Sequence, residues 1–315
     1  MAGFSAVHLT GGDWRTLCAE AAAGLDASAT GRLAFIYMDD SLAGDTDRII
    51  DELRQQTGIP HWVGCVGMGL CSSGRESYGE PGLSILVTPF GEDEFRIIPN
   101  RDEGFDDWLE ATRAWREQTL ASVAVVHGDP ASTRLPALLG DLAEGLQGGF
   151  LLGGIASAEN LAVQIADRAT GGGLSGVLFA GGVQISTGLS QGCSLIGHRR
   201  QITGCRRNII ETIDGRPALE VFKEDIGEVL ARDLRRVGGY IFAALPIPAS
   251  DTGDYLVRNL VGIDPDRGLL AIGDLVEPGM EIQFARRDAA TAEEDLRRMV
   301  AALRARLAGE PRGAL

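Results

Sequence analysis

The fold is decided by two apolar stretches that begin 90 residues apart (124 − 34), Ala34-Phe35-Ile36-Tyr37 and Ala124-Val125-Val126-His127. Each stretch has the composition of a short buried strand and is followed by an amphipathic segment. A second strand then runs into glycine in both places, at Val63-Gly64-Cys65-Val66-Gly67 and at Leu152-Gly153-Gly154-Ile155-Ala156-Ser157. A repeated strand–helix–strand–glycine unit predicts two equivalent halves that face each other. The seam between such halves is a natural place to bind a small ligand.

The segments around these strands predict the remaining elements of the two halves. Capping residues and helical spacing of apolar residues predict helices at residues 13–25, 45–57 and 132–146. A run of branched residues predicts a strand at residues 83–88. The pair Gly148-Gly149 is a suitable end for the third helix.

At the end of the second half, apolar runs on both sides of Gly181-Gly182 predict a tight hairpin.

The C-terminal part of the chain is richer in strands. Pro217 suits the first turn of a helix because its missing N–H costs nothing there. Helices are predicted at residues 218–222, 226–237 and 291–307, and strands at residues 201–204, 208–213, 240–245, 255–262, 269–273 and 281–286. The whole pattern predicts an α/β protein, with an internally duplicated α/β N-terminal domain followed by a smaller α+β C-terminal domain.

Composition and charge exclude several classes of function. The 315 residues are 44% hydrophobic and 23% charged, as in globular proteins, and the net charge of −15 opposes binding to nucleic acid or anionic membranes. No apolar run is long enough to span a membrane, and residues 1–10 lack the features of a signal peptide. The odd number of cysteines favours free thiols in a reducing cytoplasm, and their spacing predicts no metal site. No cofactor is predicted.

Six strings of residues, taken in order along the chain, resemble the FIST proteins, which carry FIST N and FIST C domains. The N-terminal strings are Val63-Gly64-Cys65, Leu152-Gly153-Gly154-Ile155-Ala156-Ser157 and Ser190-Gln191-Gly192-Cys193-Ser194-Leu195-Ile196-Gly197. The C-terminal strings are Asp214-Gly215-Arg216-Pro217-Ala218-Leu219-Glu220-Val221, Tyr255-Leu256-Val257-Arg258-Asn259 and Phe284-Ala285-Arg286-Arg287-Asp288. The resemblance covers most of the chain. It implies a sensory module for small ligands, with amino acids the usual suggestion, that acts in signal transduction.

The resemblance also implies how the domains are divided. A helical lead-in of residues 1–30 would precede a FIST N-like domain of residues 31–198, whose repeats span about 31–90 and 121–187. A FIST C-like domain would occupy residues 199–315. The FIST C domain normally continues past its last helix into further strands, so we expect this C-terminal domain to be incomplete.

The first candidate ligand-binding residues lie in the two glycine-rich turns. They are Gly64, Cys65 and Gly67 after one repeated strand, and Gly153, Gly154, Ala156 and Ser157 after the other. Ligands of α/β sheets bind beyond the carboxyl ends of strands, where glycine exposes backbone N–H groups. Tight packing between strands explains the same glycines equally well. Under the ligand hypothesis, alanine or a bulkier residue at Gly153 or Gly154 abolishes binding and leaves the fold intact.

Other candidates have alternative interpretations. The resemblance implies that the turn formed by Gln191, Gly192 and Cys193 lines the pocket. Cys193 or Cys65 is the candidate nucleophile of an alternative, cysteine-dependent enzyme, although a small buried thiol is the commoner role of cysteine. Arg216 and Arg258 lie in apolar surroundings, and each is expected to pair with a carboxylate, either structural or bound.

His127 and a small basic cluster also allow two interpretations. His127 ends a repeated strand, and its counterparts in the first repeat are Tyr37 to Asp39. It either contacts a polar ligand or is satisfied within the fold. The second interpretation is favoured. The basic cluster either captures a carboxylate or forms a solvated strand face balanced by acidic neighbours, and the solvated face is favoured; it consists of Arg199, Arg200, Arg206 and Arg207.

The sequence therefore predicts a cytoplasmic sensory protein that binds a small polar metabolite, an amino acid or a similar carboxylate, and signals through a partner protein. Backbone N–H groups of the glycine turns, together with an arginine, would bind the ligand carboxylate. Binding is favoured over catalysis. The alternatives are the cysteine-dependent enzyme and a ligand-free interaction scaffold, which predicts an exposed apolar patch. Neither nucleic acid nor membrane is an expected partner.

Overall fold

A computed structural model describes residues 3–25, 31–72, 74–147, 149–159, 161–247 and 255–315 of the chain. Contacts within the chain divide it into two compact units. Unit 1 comprises the chain up to Ile185 together with Glu310–Leu315, and unit 2 comprises Ser186–Gly309. Unit 1 carries both of the repeated stretches.

The first half of unit 1 is built around the apolar strand that contains Tyr37. Its elements are β1 (Ser5–Thr10), α1 (Trp14–Gly24), β2 (Leu33–Asp39), α2 (Thr46–Thr57), β3 (His61–Gly67), β4 (Gly69–Ser72), β5 (Arg75–Tyr78) and β6 (Gly82–Val87). The Asp13 side chain accepts hydrogen bonds from the first N–H groups of α1, and α2 ends at Gly58 in the left-handed conformation. The helices and strand predicted in this half are confirmed.

The second half repeats these elements at a nearly constant offset. They are β7 (Phe95–Arg101), α3 (Asp106–Thr119), β8 (Val123–Gly128), α4 (Leu135–Gly145), β9 (Phe150–Ile155), β10 (Gln164–Ala166), β11 (Ala169–Thr170) and β12 (Leu174–Phe179). The offsets are 90 residues from β1 to β7 (95 − 5), 90 from β2 to β8 (123 − 33), 89 from β3 to β9 (150 − 61) and 92 from β6 to β12 (174 − 82).

The strand order is the same in both halves. The first sheet contains the order β1-β6-β2-β3, and the second sheet has the order β7-β12-β8-β9. In the first sheet β2 is parallel to β3, and in the second sheet β8 is parallel to β9. The other pairs in these two orders are antiparallel. The predicted duplication is therefore confirmed. It also includes β1 and α1, which the sequence interpretation assigned to a lead-in, and β7 and α3, which it did not predict.

The two sheets pack face to face between two outer layers of helices. Ala34 and Ile36 of β2 pack against α1 and α2, whereas Leu33 and Phe35 pack against the second sheet, where Val125 of β8 meets them. A separate apolar cluster joins α3 and α4 to the outer face of the second sheet. Unit 1 is therefore a four-layer α–β–β–α sandwich. Burial on both faces explains why β2 and β8 are continuous apolar runs.

The two halves differ at one edge of their sheets. In the first sheet, β10 pairs antiparallel with the outer edge of β3, with Ile165 opposite Gly64, and β11 follows β10. The equivalent hairpin of the first half, β4 with β5, forms a two-stranded sheet of its own. As a result β9 is the last strand of the second sheet.

Unit 2 is a small antiparallel barrel with helices. Its elements are β13 (Ser194–Arg206), β14 (Ile209–Ile213), β15 (Arg216–Pro217), α5 (Ala218–Ile226), α6 (Glu228–Ala231), β16 (Ile241–Pro246), β17 (Tyr255–Asp264), β18 (Leu269–Ile272), β19 (Glu281–Arg286) and α7 (Ala289–Arg306). The order β13-β19-β16-β17-β18-β14 closes into a ring because β14 also pairs with β13. Phe222 of α5 packs edge-to-face on Phe284 inside the barrel core. The predicted α+β C-terminal domain is confirmed.

Two predicted elements are wrong. The hairpin at Gly181-Gly182 does not form, because β12 is already paired on both edges, with β7 and β8, and residues 183–187 form no strand. The single helix at 226–237 is interrupted at Gly227, whose φ of +80° ends α5; α6 and a separate 3-10 helix at Leu234–Arg236 follow.

Two further points concern helices. Gly148 of the predicted Gly148-Gly149 helix end lies outside the described residues, and α4 ends at Gly145. Within the part of the chain that the structure describes, no helix combines the length and the apolar character needed to cross a membrane.

Candidate functional site

Gly64 and Gly153 are equivalent residues that allow two strands to approach closely. Their φ values are +157° and +139°, and a Cβ at either position would overlap a backbone carbonyl of the neighbouring strand, that of Ile36 or that of Val126. Gly154 differs, since a Cβ there would meet nothing within 4 Å. The expectation that residue 153 tolerates a side chain is therefore wrong. Packing alone accounts for Gly64 and Gly153.

A polar row crosses the inner face of each sheet at the ends of the repeated strands. In the first sheet the residues in register are Ser84, Tyr37, Cys65 and Gln164. In the second sheet they are Ser175, His127 and Gly154. One row nearer the start of the strands, Phe35 lies beside Leu86 and Val63, which are apolar. The contact between the sheets thus changes from apolar to polar at the carboxyl ends of the parallel strands.

Tyr37 and His127 connect the two polar rows. The Tyr37 hydroxyl lies 3.1 Å from Nε2 of His127, and the rings meet edge-on at 5.6 Å. His127 is 3% exposed, and burial lowers its pKa to about 4, so the ring is neutral at pH 7. Burial also raises the pKa of Tyr37, which keeps its proton. For Nε2 of His127, the prediction of a hydrogen-bond partner within the fold is therefore correct, and the partner is the Tyr37 hydroxyl.

Within the described part of the chain, the second ring nitrogen of His127, Nδ1, lacks the hydrogen bond that Nε2 makes. Among the described residues, its Nδ1 is buried without a hydrogen-bond partner. If the Tyr37 hydroxyl donates to Nε2, Nδ1 carries a proton without an acceptor; if Nε2 donates, Nδ1 is an acceptor without a donor. An unpaired buried polar group costs about 1–3 kcal/mol. A ligand or an ordered water that paired with Nδ1 would recover that free energy.

A second hydrogen bond also crosses between the sheets. The Ser175 hydroxyl donates to Oε1 of Gln164 at 2.9 Å, and Nε2 of Gln164 donates to the Gly173 carbonyl at 3.3 Å. Both side chains are fully buried. Gln164 belongs to β10, the strand that covers β3, so the polar rows hold the covering strand as well as the two sheets.

Equivalent aspartates make the turns beyond the polar rows rigid. Oδ1 of Asp39 accepts a hydrogen bond from the N–H of Ser41 at 3.0 Å, and Oδ1 of Asp129 accepts one from the N–H of Ala131 at 2.7 Å. Both carboxylates are buried. The aspartates are 90 residues apart (129 − 39), so the duplication extends to individual hydrogen bonds. Such Asx turns fix the backbone where the strands end.

A cavity of about 250 Å³ opens where these strands end. It is lined by Tyr37, Cys65, Val66, Gly67, Gly69, Leu70, Cys71, Ile155, Ala156 and Ser157. A bridge pairs Gly67 with Ser157, so both repeats contribute to its wall. The volume is below the roughly 300–1,000 Å³ of pockets for drug-sized ligands. The cavity therefore suits a small metabolite.

The lining of the cavity is uncharged. It combines the hydroxyls of Tyr37 and Ser157 and the side chains of Cys65 and Cys71 with apolar residues. The N–H of Met68 donates a long hydrogen bond, 3.4 Å, to the Ser157 hydroxyl. Burial raises the pKa of Cys65 to about 11, so its thiol is protonated at pH 7.

The predicted turn at Gln191 and Gly192 lies in unit 2 and already holds a carboxylate. Oδ2 of Asp295 on α7 accepts hydrogen bonds from the N–H groups of Gln191 and Gly192 at 2.9 and 3.0 Å, and from the Ser190 hydroxyl at 2.9 Å. Cys193 is 1% exposed and packs with Phe242 and neighbouring apolar residues. These N–H groups are therefore used within the fold.

The predicted arginines also pair with carboxylates of unit 2. Arg216 forms two hydrogen bonds with Glu224, at 2.6 and 2.9 Å, and Arg258 contacts Asp274 at 2.7 Å. In the basic cluster, Arg200 lies 2.7 Å from Asp225. Its neighbours Arg199 and Arg206 pair with Glu281 and Glu211. The geometry therefore supports the interpretation in which these arginines pair with carboxylates of the protein itself and not with a ligand.

Of the residues proposed from the sequence, four line the cavity: Cys65, Gly67, Ala156 and Ser157. Gly64 and Gly153 belong to the same strands but allow their close approach to the neighbouring strands. Gly154 lies in β9 outside the cavity lining. The candidate residues chosen from the sequence did not include the other six lining residues, which are Tyr37, Val66, Gly69, Leu70, Cys71 and Ile155. For Tyr37 the available signal was its repeated position, since Tyr37 and His127 lie near the ends of the two repeated apolar stretches.

Comparisons with known proteins identify the family. A model of the FIST N domain matches residues 32–216, and a model of the FIST C domain matches residues 218–315. The chain therefore belongs to the FIST family. FIST domains are in general sensory domains associated with signal transduction, and membership implies the sensing of small ligands.

Proteins of similar sequence occur in mycobacteria. Uncharacterized protein Rv0628c of Mycobacterium tuberculosis is 30% identical over 321 aligned positions, which cover 97% of this chain and 82% of the relative. Uncharacterized protein Mb0898c of Mycobacterium bovis is 30% identical over 286 aligned positions, which cover 86% of this chain and 72% of the relative.

Proposed function

We propose that unit 1 is the sensory part of this protein and that the cavity beside Tyr37 binds a small polar metabolite, an amino acid or a similar small carboxylate. The single observation that carries the proposal is that equivalent strand ends of both repeats meet there, with Tyr37 in the cavity wall and hydrogen-bonded to His127. Among the described residues, Nδ1 of that buried His127 has no hydrogen-bond partner. Signalling through a partner protein, from within the cytoplasm, is part of the same proposal.

The uncharged lining decides how such a ligand would be held. The candidate arginines are engaged by Glu224 and Asp274. A ligand carboxylate would therefore depend on the hydroxyls of the cavity wall and on the Met68 N–H, whose present hydrogen bond to Ser157 is long at 3.4 Å. The hydroxyls of Tyr37 and Ser157 accept as well as donate, and would meet an ammonium or hydroxyl group. The Tyr37 hydroxyl is bonded to His127, so a ligand contact at Tyr37 reaches the second sheet directly.

The alternative function is a cysteine-dependent enzyme. A nucleophilic cysteine needs a lowered pKa, whereas burial raises that of Cys65 to about 11. Cys193 packs in an apolar cluster with Phe242. Binding is therefore the better supported proposal.

The proposal is tested by a thermal-shift screen of the whole chain against the common amino acids and small hydroxy and keto acids. A ligand at a hundred times its dissociation constant adds about 2.7 kcal/mol to the free energy of unfolding. In a unit of this size that raises the melting temperature by roughly 5 °C or more.

Two matched glycine variants assign a positive result to the cavity. A Cβ at Gly67 would lie 3.0 Å from Oγ of Ser157 and fill the cavity wall, whereas a Cβ at Gly154 meets open space. Gly67→Ala is expected to weaken binding about ten-fold or more, and Gly154→Ala to leave it unchanged. Equal affinities in the two variants would place the ligand elsewhere and overturn the proposal.

A further inference from the structure

In the part of the chain that the structure describes, the outer edge of β9 is unpaired, although its counterpart in the first sheet is paired. There β10 pairs along the edge of β3. Among the described residues, no strand pairs with the corresponding edge of β9, which ends the order β7-β12-β8-β9. An unpaired strand edge presents a row of N–H and C=O groups to any chain that approaches.

The direction of these backbone groups follows from the hydrogen bonds at the two ends of β9, which lead to β8 and to the residue just before β8. The N–H of Phe150 donates to the Ser122 carbonyl, and the N–H of Ala156 donates to the Gly128 carbonyl. Alternate residues of a strand direct their backbone groups to opposite edges. Leu151, Gly153 and Ile155 therefore direct their N–H and C=O groups to the free edge.

The free edge also lacks the features that normally protect one. Phe150 is 54% exposed and Ile155 is 60% exposed, and β9 contains neither a charged residue nor proline. The opposite edge of the same sheet, β7, carries Arg96, Pro99 and Arg101. Charge and proline on an edge strand prevent pairing with another chain. Within one sheet, β7 is thus protected and β9 is open.

We propose that β9 docks an extended segment of a partner protein, which adds to the second sheet as an antiparallel strand, with apolar residues at alternate positions and basic residues at its ends. The pairing of β10 with β3 supplies the geometry. Exposed acidic residues precede and follow β9 along the chain, at Asp141, Glu144 and Glu159. This docking surface goes beyond ligand binding and does not depend on it.

Charge decides between a partner segment and a second copy of this chain. A second copy would bring another net charge of −15 to the same edge. Like charges of this size oppose association, whereas a segment with basic ends is attracted. The occupant is therefore a basic segment from another protein.

A synthetic peptide tests the docking surface on the full chain. The probe is a fluorescein-labelled ten-residue peptide of alternating valine and threonine with two lysines at each end, and its match carries glutamate in place of lysine. Fluorescence anisotropy is expected to show saturable binding of the lysine peptide, with affinity at least about ten-fold above that of the glutamate peptide. No saturable binding, or equal affinity for both peptides, would overturn the proposal.

Three variants assign the binding to β9. Leu151→Pro removes an outward N–H and keeps the bonds to β8, and Phe150→Lys places a charge on the exposed edge without touching the backbone. Both should weaken peptide binding about ten-fold or more. Leu120→Lys, at a residue that is 78% exposed outside β9, should leave it unchanged. Unchanged binding in the folded Phe150→Lys variant would contradict the proposal, as would a dimer of the chain that this substitution dissociates.

Discussion

The Tyr37 hydroxyl and Nε2 of His127 lie 3.1 Å apart, although the two residues occupy the same position in two repeats that are 90 residues apart. Tyr37 lies two residues before the end of β2 and His127 one residue before the end of β8, and both strands are interior to their sheets. Their contact joins the sheets at the depth where the apolar interface gives way to the polar rows. Tyr37 also lines the cavity, so one side chain belongs both to the scaffold and to the proposed site.

Removing the Tyr37 hydroxyl should destabilise the fold. Tyr37→Phe leaves His127 with both ring nitrogens unpaired, and the expected loss in the free energy of unfolding is about 1–2 kcal/mol by urea denaturation. Tyr78→Phe is the matched control, since Tyr78 is 69% exposed and its hydroxyl bonds to Glu76 on the surface. Equal stabilities of the two variants would show that the bond between the sheets contributes nothing.

Acidification should destabilise the protein through His127. Its pKa is about 4 in the folded state, against 6.5 for a histidine exposed to water, so the unfolded state binds more protons between these pH values. Stability from this group is complete above pH 6.5 and is lost as the pH falls towards 4, by about 2 kcal/mol between pH 7 and pH 5. His127→Gln should reduce this pH dependence, and His198→Gln, at an exposed residue, should not. A pH dependence that is the same in both variants would contradict the assignment.

The two close-approach glycines should be structural. Gly64→Ala and Gly153→Ala force a Cβ onto a neighbouring carbonyl at positive φ, and each should cost roughly 3 kcal/mol or more or prevent folding. Gly154→Ala is the control next to Gly153 and should stay within about 0.5 kcal/mol of the original protein. Chemical denaturation of the three variants measures the differences. Similar stability of Gly153→Ala and Gly154→Ala would mean that β9 can move away from β8.

The cysteines distinguish a binding protein from a cysteine-dependent enzyme. The pKa of Cys65 is raised by burial, so iodoacetamide at pH 7 should alkylate it more slowly than free cysteine and more slowly than the exposed Cys71. Peptide mapping by mass spectrometry at several times gives both rates. Alkylation of Cys65 faster than free cysteine would favour the enzyme instead.

The duplicated core was predictable because burial on both faces makes β2 and β8 continuous apolar runs. Their spacing then carried the prediction of two equivalent halves. The polar rows were not predictable, since they depend on the register that places Ser84 and Cys65 beside Tyr37. Leu70 and Cys71 reach the cavity from the β4–β5 hairpin, which has no helical or strand periodicity long enough to recognise. Arg216 looked available because its partner, Glu224, lies eight residues away on α5.

The most direct test of the proposed site is calorimetric titration of the most stabilising compound from the screen into the original protein, Tyr37→Phe and Tyr78→Phe. If the cavity binds the ligand through the Tyr37 hydroxyl, Tyr37→Phe should weaken binding by about 1–2 kcal/mol, roughly ten-fold, while Tyr78→Phe binds as the original protein does. Unchanged affinity in Tyr37→Phe, with the fold intact, would contradict the account of the site.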